Sequence, residues 1–317
     1  MHNFIALLQN ENMKLSQRIS TWIMYAILLV IILFGAVIEF FSESVTTTEV
    51  DDNWKEELRV ETANLEEMNE EDEYMYGMFT DEIAINNYHI ENDIKPLPYD
   101  AWQFTMENAG LSSMISLFTI IIAAGIIASE YRLGTIKLLL IRPISRTKIL
   151  LSKYVTVLLF SMIMLLFLFI SSMIIGSLFF GLNGLNPTIV QMSVDGPKET
   201  SIFGEIFTQY GLNMINLVMM ATFAFMISSL FRNSGMAIGT SIFLMFTGTT
   251  VVAMLSNYEW AKYILFANTN LNQYMGNGVP VIEGMTLGFS IAIIAIYYII
   301  FLVVSWLAFT KRDVAGA

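Results

Sequence analysis

The sequence predicts an all-α integral membrane protein with six transmembrane helices, on three observations. Of its 317 residues, 55% are hydrophobic and only 14% charged, whereas a soluble domain runs nearer about a quarter charged. The apolar residues gather into runs of about twenty, the length a helix needs to cross a core of roughly 30 Å. The 28 acidic and 16 basic side chains fall almost wholly between those runs. A soluble globular enzyme is excluded by this pattern.

The elements follow in chain order. Residues 1–21 read as a cytoplasmic amphipathic interfacial helix. Phe4, Ile5, Leu8, Leu15 and Ile19 share about 100° of arc, interrupted at Asn12, and such a helix lies along a membrane surface. Residues 22–41 are the first span. Lys14 and Arg18 precede it, as in a secretory signal. Its apolar core is too long for a signal, however, and no small-residue cleavage site follows, so it reads as uncleaved.

Residues 42–110 form a large acidic extracytoplasmic loop. Between 42 and 111 lie 19 of the 28 acidic groups and only Lys55, Arg59 and Lys95 as bases, a net of −16. The rest of the chain is +4, so the overall charge of −12 describes one loop. Asp52 or Asn53 serves as the cap of a helix starting near Trp54. Trp54, Leu58, Leu65, Met68, Met75 and Phe79 make an apolar seam at spacings of three and four, with Glu61 and Asp72 at two of the expected places. The seam favours a helix that packs on a partner or folds back. The run Glu70-Glu71-Asp72-Glu73 is the argument for a disordered acidic loop instead. Pro96 and Pro98 break the chain, and residues 100–113 feed the second span as a short helix.

The second span is 111–128. Residues 129–153 are the most basic stretch, with six Lys or Arg and Glu130 as the sole acid. Pro143 ends any helix begun at Gly134-Thr135, because the residue before proline avoids the helical region. A short cytoplasmic helix between two turns is the expectation. Then come span three (154–180), an outer loop (181–209), spans four (210–230) and five (235–255), an outer loop (256–286), span six (287–309) and a cytoplasmic tail (310–317). Gly235/Gly239, Ala124/Ala128 and Ser172/Gly176 place small residues four apart. They suit internal packing as well as a dimer seam.

Orientation follows from the bases. With the N-terminus in the cytoplasm, the inner pieces hold eleven Lys or Arg and the outer pieces five, of which three sit in the long loop that the positive-inside rule discounts. Both termini are then cytoplasmic. Nucleic-acid binding lacks the basic stripe it needs. There is no cysteine, and His2 and His89 are far apart, so no metal site is written. No Gly-Lys pair exists, which excludes a P-loop ATPase, and neither His-Glu-x-x-His nor Gly-x-Ser-x-Gly occurs. Within the spans the one acidic residue is Glu39, read as hydrated at the outer interface.

The stretch Glu130-x-x-x-Gly134-Thr135-x-x-x-Leu139-Leu140-x-x-Pro143-x-Ser145-Arg146, followed by Ile149-Leu150-Leu151-Ser152-Lys153, resembles the cytoplasmic signature of type-2 ABC exporter permeases. It sits between the second and third of six spans, as in that family. The N-terminal amphipathic helix matches too, and the tryptophan-headed acidic helix looks like that of the larger bacitracin and lantibiotic self-protection permeases. Residues 256–286 carry Gly276, Gly278, Pro280 and Gly284 and read as irregular, a departure from the short re-entrant helices the family has there. The resemblance implies a bacterial cytoplasmic membrane permease without catalytic residues, cofactor or metal of its own. ATP would be bound by a separate ABC ATP-binding subunit. That subunit would dock on a coupling segment made by Glu130, Gly134, Thr135, Leu139, Pro143 and Arg146. A second copy or a related permease would complete the pathway, and the substrate would be hydrophobic or peptide-like. Glu130 is free in this reading to pair with Arg132, Arg146 or a basic group of the partner. Lys148 and Lys153 are read as setting topology and touching anionic lipid. Two other classes stand beside it: a receptor or immunity protein whose acidic loop captures a cationic peptide, and an intramembrane enzyme using Glu39 or Glu130.

Overall fold

A computed structural model describes residues 2–42, 53–71, 79–135, 144–231 and 233–311. The helices are α1 (His2–Ser16), α2 (Ile19–Phe40), α3 (Trp54–Glu71), α4 (Thr80–Asn92), α5 (Ala101–Glu107), α6 (Ser112–Arg132), α7 (Arg146–Phe180), α8 (Ile202–Leu230), α9 (Ser234–Met254), α10 (Leu265–Asn268) and α11 (Leu287–Lys311). A hairpin of β1 (Thr188–Ser193) and β2 (Gly196–Ser201) lies between α7 and α8. Among the described residues, six helical units are long and apolar enough to cross a membrane: α2, α5–α6, α7, α8, α9 and α11.

The centre of the bundle is α6 against α8. Small residues on both, Ala123, Ala124 and Ala128 on one and Ala221 and Ala224 on the other, are fully buried and let the backbones approach. Ser228 Oγ accepts from the backbone N–H of Ile127 and Ala128 at 3.1 Å each. Higher up, Tyr210 donates to Thr105 O and Asn213 to Ala109 O, both at 3.1 Å. Around this pair stand α7, α11 and α9, and α2 packs on α7; their outward faces carry large exposed apolar side chains such as Phe34, Phe243 and Ile299. Such a surface suits a lipid solvent rather than water. α7 has 35 residues, about 52 Å of helix, and so exceeds the hydrocarbon thickness by itself.

The second span starts earlier than its apolar run. Asp100 caps α5, accepting from Trp102 N at 2.9 Å and Gln103 N at 3.3 Å, and holds Asn183 N at 3.1 Å with its other oxygen. A 3-10 turn, Asn108–Leu111, then joins α5 to α6. Gly176 explains how α5 fits beside α7: a Cβ there would stand 3.0 Å from Ala101 Cα.

At the end of the bundle away from α1, three connections meet. α3 and α4 pack on each other, with Trp54 and Thr62 of α3 buried and Leu58 and Leu65 half-buried, and a Lys55–Asp93 ion pair at 2.5 Å joins them. In the described part of the loop α3 therefore packs back on α4; Met68 turns outward, while Asp52, Asp72 and Met75 lie outside the described residues. The β-hairpin pairs antiparallel from Thr188↔Ser201 to Ser193↔Gly196, with Gly196 at φ +107°, and packs on α4. Its Asp195-Gly196 pair is the turn signal that a purely helical reading passes over. Residues 256–286 hold two 3-10 turns and α10. They are fixed by buried Asn268, which donates to Lys262 O and Ile264 O and accepts from Ser290 Oγ at 2.7 Å. Asn277 donates to both oxygens of Asp81, at 2.7 and 2.8 Å, and so ties this loop to α4.

Candidate functional site

The most unusual chemistry lies where α1 meets the ends of α6 and α7. α1 turns Leu7, Glu11 and Leu15 inward, so an acid occupies the middle of its buried face. Ile5 and Ile19, assigned to the apolar arc from sequence, are exposed at 53% and 77%. The last turn of α6 supplies Glu130, and the third turn of α7 supplies Lys153, which is 1% exposed. Lys153 Nζ lies 2.8 Å from Glu11 and 3.0 Å from Glu130. Lys14 Nζ lies 2.9 Å from Glu11 and 3.2 Å from Glu130. Each ammonium thus bridges both carboxylates in a closed, charge-neutral ring. Thr135 donates to the remaining oxygen of Glu130.

The ring satisfies what burial demands. Charges taken from water are tolerable only when paired and hydrogen-bonded, and here every charged group has two counter-charges. Lys14 is the exposed member. Burial works against its charge, but Glu11 and Glu130 outweigh that and hold its pKa above the ordinary lysine value.

The sequence-derived residues separate into three groups. Glu130, Gly134 and Thr135 come together: Gly134 sits at φ +70°, a conformation that favours glycine, and turns the chain so that Thr135 meets Glu130. Arg146 stands elsewhere, at the start of α7, donating to Thr310 O at 2.9 Å at the end of α11. Nearby, Trp306 Nε1 donates to Thr147 Oγ1 at 3.1 Å. Leu139 and Pro143, with the rest of the segment expected to form a short helix, lie outside the described residues. Lys153 corrects the sequence reading: it is an interior ion-pair partner and does not face lipid. Glu11 has no place in the sequence reading, and Lys14 enters it only as a base before the first span. The signal was available, since Glu11 lies four residues from both Leu7 and Leu15, and Lys153 interrupts the apolar arc of Ile149, Leu150 and Val157.

A second polar feature lies at the far end. A cavity of about 510 Å³ is bounded by Asp81, Glu107, Glu205, Gln191 and Gln209, and among the described residues no Lys or Arg lines it. A neighbouring space of about 240 Å³ shares Glu107 and reaches Glu39, so Glu39 borders an acidic hollow at the end of α2. Tyr99 OH donates to Glu107 at 2.5 Å; burial and then that carboxylate push the phenol pKa up.

The chain is similar to two proteins of Bacillus subtilis (strain 168). It is 43% identical over 315 residues, covering 98% of this chain and 99% of the relative, to "Uncharacterized protein YhcI". It is 37% identical over 206 residues, covering 64% of this chain and 79% of the relative, to "Uncharacterized membrane protein YdbK". With six apolar helices of spanning length, the protein is a multi-pass membrane protein. A family model matches residues 74–315, and the chain belongs to that family, described as protein of unknown function (DUF2705).

Proposed function

We propose that this protein is the membrane-spanning permease subunit of an ATP-binding-cassette exporter. In this reading it forms the translocation pathway for a hydrophobic or peptide-like substrate, antimicrobial peptides among them, and is driven by a separate ATPase subunit. The termini and the ion-pair ring face the bacterial cytoplasm, as the eleven inner bases favour. A second copy, or a related permease, completes the pathway.

The observation that carries the reading is the anchoring of the segment between the second and third long helices. Glu130 and Thr135 lie on its leading side, and Glu130 is held to α1 through Lys14 and to α7 through Lys153. A load applied by an ATPase to residues 136–143 would pass into α1, α6 and α7 together rather than being lost in a loose loop. The ATPase has to be a partner, because the chain contains no phosphate-binding loop.

The test is purification of the tagged chain from native membranes. A stoichiometric P-loop ATPase should accompany it, and Gly134→Val should uncouple ATP hydrolysis from export while the protein still inserts. Transport by the isolated chain, or the absence of any associated ATPase, refutes the proposal. The acidic cavity at the far end favours one other reading, a receptor that captures a cationic peptide without pumping it. Deleting residues 53–95 then removes protection against the peptide, whereas an ATPase-dependent exporter loses it on ATPase inactivation alone.

A further inference from the structure

The elbow between α1 and α2 frames a groove against α7 of about 740 Å³. Its walls are Tyr25, Leu29, Phe160, Ile163 and Phe167, and its rim is polar, with Asn12, Ser16 and Thr21. From Thr21 to Leu29 the groove follows nine residues of α2, about 12 Å of helix, running from the elbow along the outer face of the bundle. The walls are braced: Tyr25 meets Phe167 edge-on at 5.0 Å and Phe160 at 6.4 Å. The rim is braced as well. Thr21 Oγ1 donates to Leu15 O at 2.7 Å and Trp22 Nε1 to Ser16 O at 2.8 Å, so the elbow is held open at a set angle. Among the described residues, no charged side chain lines the groove.

One charged residue lies in the bend beside it. Arg18 occupies the bend itself, between Ser16 and Thr21 of the rim, and is exposed. Among the described residues it forms no salt bridge, whereas neighbouring Lys14 is already shared by two carboxylates. An apolar slot in a spanning surface, with a polar rim and an exposed arginine in the bend next to that rim, has the polarity order of a phospholipid: acyl chain inside, ester region at the hydroxyls, phosphate at the cation. The geometry points to a binding site for one anionic phospholipid, its acyl chain between α2 and α7 and its headgroup on Arg18. This site is independent of the permease proposal and requires only that α2 and α7 span the membrane.

The test uses the full-length chain in vesicles. Trp22 borders the groove and is 64% exposed, so its fluorescence reports an occupant directly. Emission is compared in brominated phosphatidylglycerol and brominated phosphatidylcholine, with the Trp22→Phe variant subtracted to isolate the signal. Phosphatidylglycerol should quench Trp22 at about one fifth the mole fraction that phosphatidylcholine requires, the preference expected of one basic side chain at a membrane surface. Arg18→Gln should bring that ratio to one. Ala26→Phe, which fills the slot from an exposed position, should weaken quenching by both lipids. Equal quenching by the two lipids in the native chain overturns the site, as does a preference that survives both substitutions. Absence of quenching by either lipid, with a dimer by light scattering, assigns the groove to a second copy of the chain and equally overturns the proposal.

Discussion

Replacing Lys153 by Met isolates the contribution of the ring. The methionine matches the aliphatic stem of the lysine, so the interior of α7 keeps its packing and only the ammonium is lost. Lys153 Nζ stands at 2.8 and 3.0 Å from two carboxylates and is 1% exposed. Without it, Glu11 and Glu130 share Lys14 alone, and one negative charge is uncompensated. Breaking a buried ion pair from one side costs about 3–5 kcal/mol. The lower end applies here, about 3 kcal/mol, because the Lys14 side chain is 39% exposed and water reaches the ring from that side. The assay is reversible denaturant unfolding in mixed micelles, followed by tryptophan fluorescence and helical circular dichroism. Lys148→Met is the control: it belongs to the same basic stretch but is exposed, and should change stability by no more than about 0.5 kcal/mol. The double variant Lys153→Met with Glu11→Gln restores neutrality and should lose less than the sum of its parts, with a coupling of about 1–3 kcal/mol. A Lys153→Met cost below about 1 kcal/mol, the range of exposed pairs, or strict additivity in the double variant, would falsify the assignment of a buried ring.

Three further predictions concern other parts of the bundle. Burial, and then the charge of Glu82, raise the pKa of Glu61 in α3 above its ordinary 4.5; the stability of the α3–α4 pair is then fullest below pH 4.5 and falls as pH rises through the elevated value, so Trp54 fluorescence should show the α3–α4 contact tightening on acidification, and Glu61→Gln should flatten that dependence. Gly248 faces Phe266 so closely that a Cβ would stand 2.2 Å from its ring; Gly248→Ala should destabilise the α9–α10 contact by about 1–3 kcal/mol, read as a lower melting temperature. Gly239 meets nothing within 4 Å, so Gly239→Leu should leave the monomer's melting temperature within about 2 °C; loss of a dimer on size exclusion would assign the exposed Gly235/Gly239 face to self-association, and an unchanged assembly would assign it to lipid.

The parts of this architecture legible in the sequence are those governed by one-dimensional rules. Length and hydropathy mark six helices because a bilayer demands about twenty apolar residues of each, and Asp100 marks the start of α5 because a carboxylate before a helix caps its first N–H groups. The ring obeys a two-body rule, and its members are 142 and 23 residues apart in the contacts of Lys153. A composition reading treats Lys148 and Lys153 alike, since both belong to one basic stretch. The helical period separates them: Lys153 shares its face with Ile149, Leu150 and Val157, all buried, whereas Lys148 is exposed. Glu11 gives the matching sign on α1, an acid between Leu7 and Leu15. Two opposite charges, each placed on an otherwise apolar face, each costly to bury alone, are best explained by one another. That inference was available without coordinates. In the fold Glu130, already prominent for its place before Gly134 and Thr135, joins the same pair, so that a single neutral cluster ties the end of α6 to the N-terminal helix and to α7.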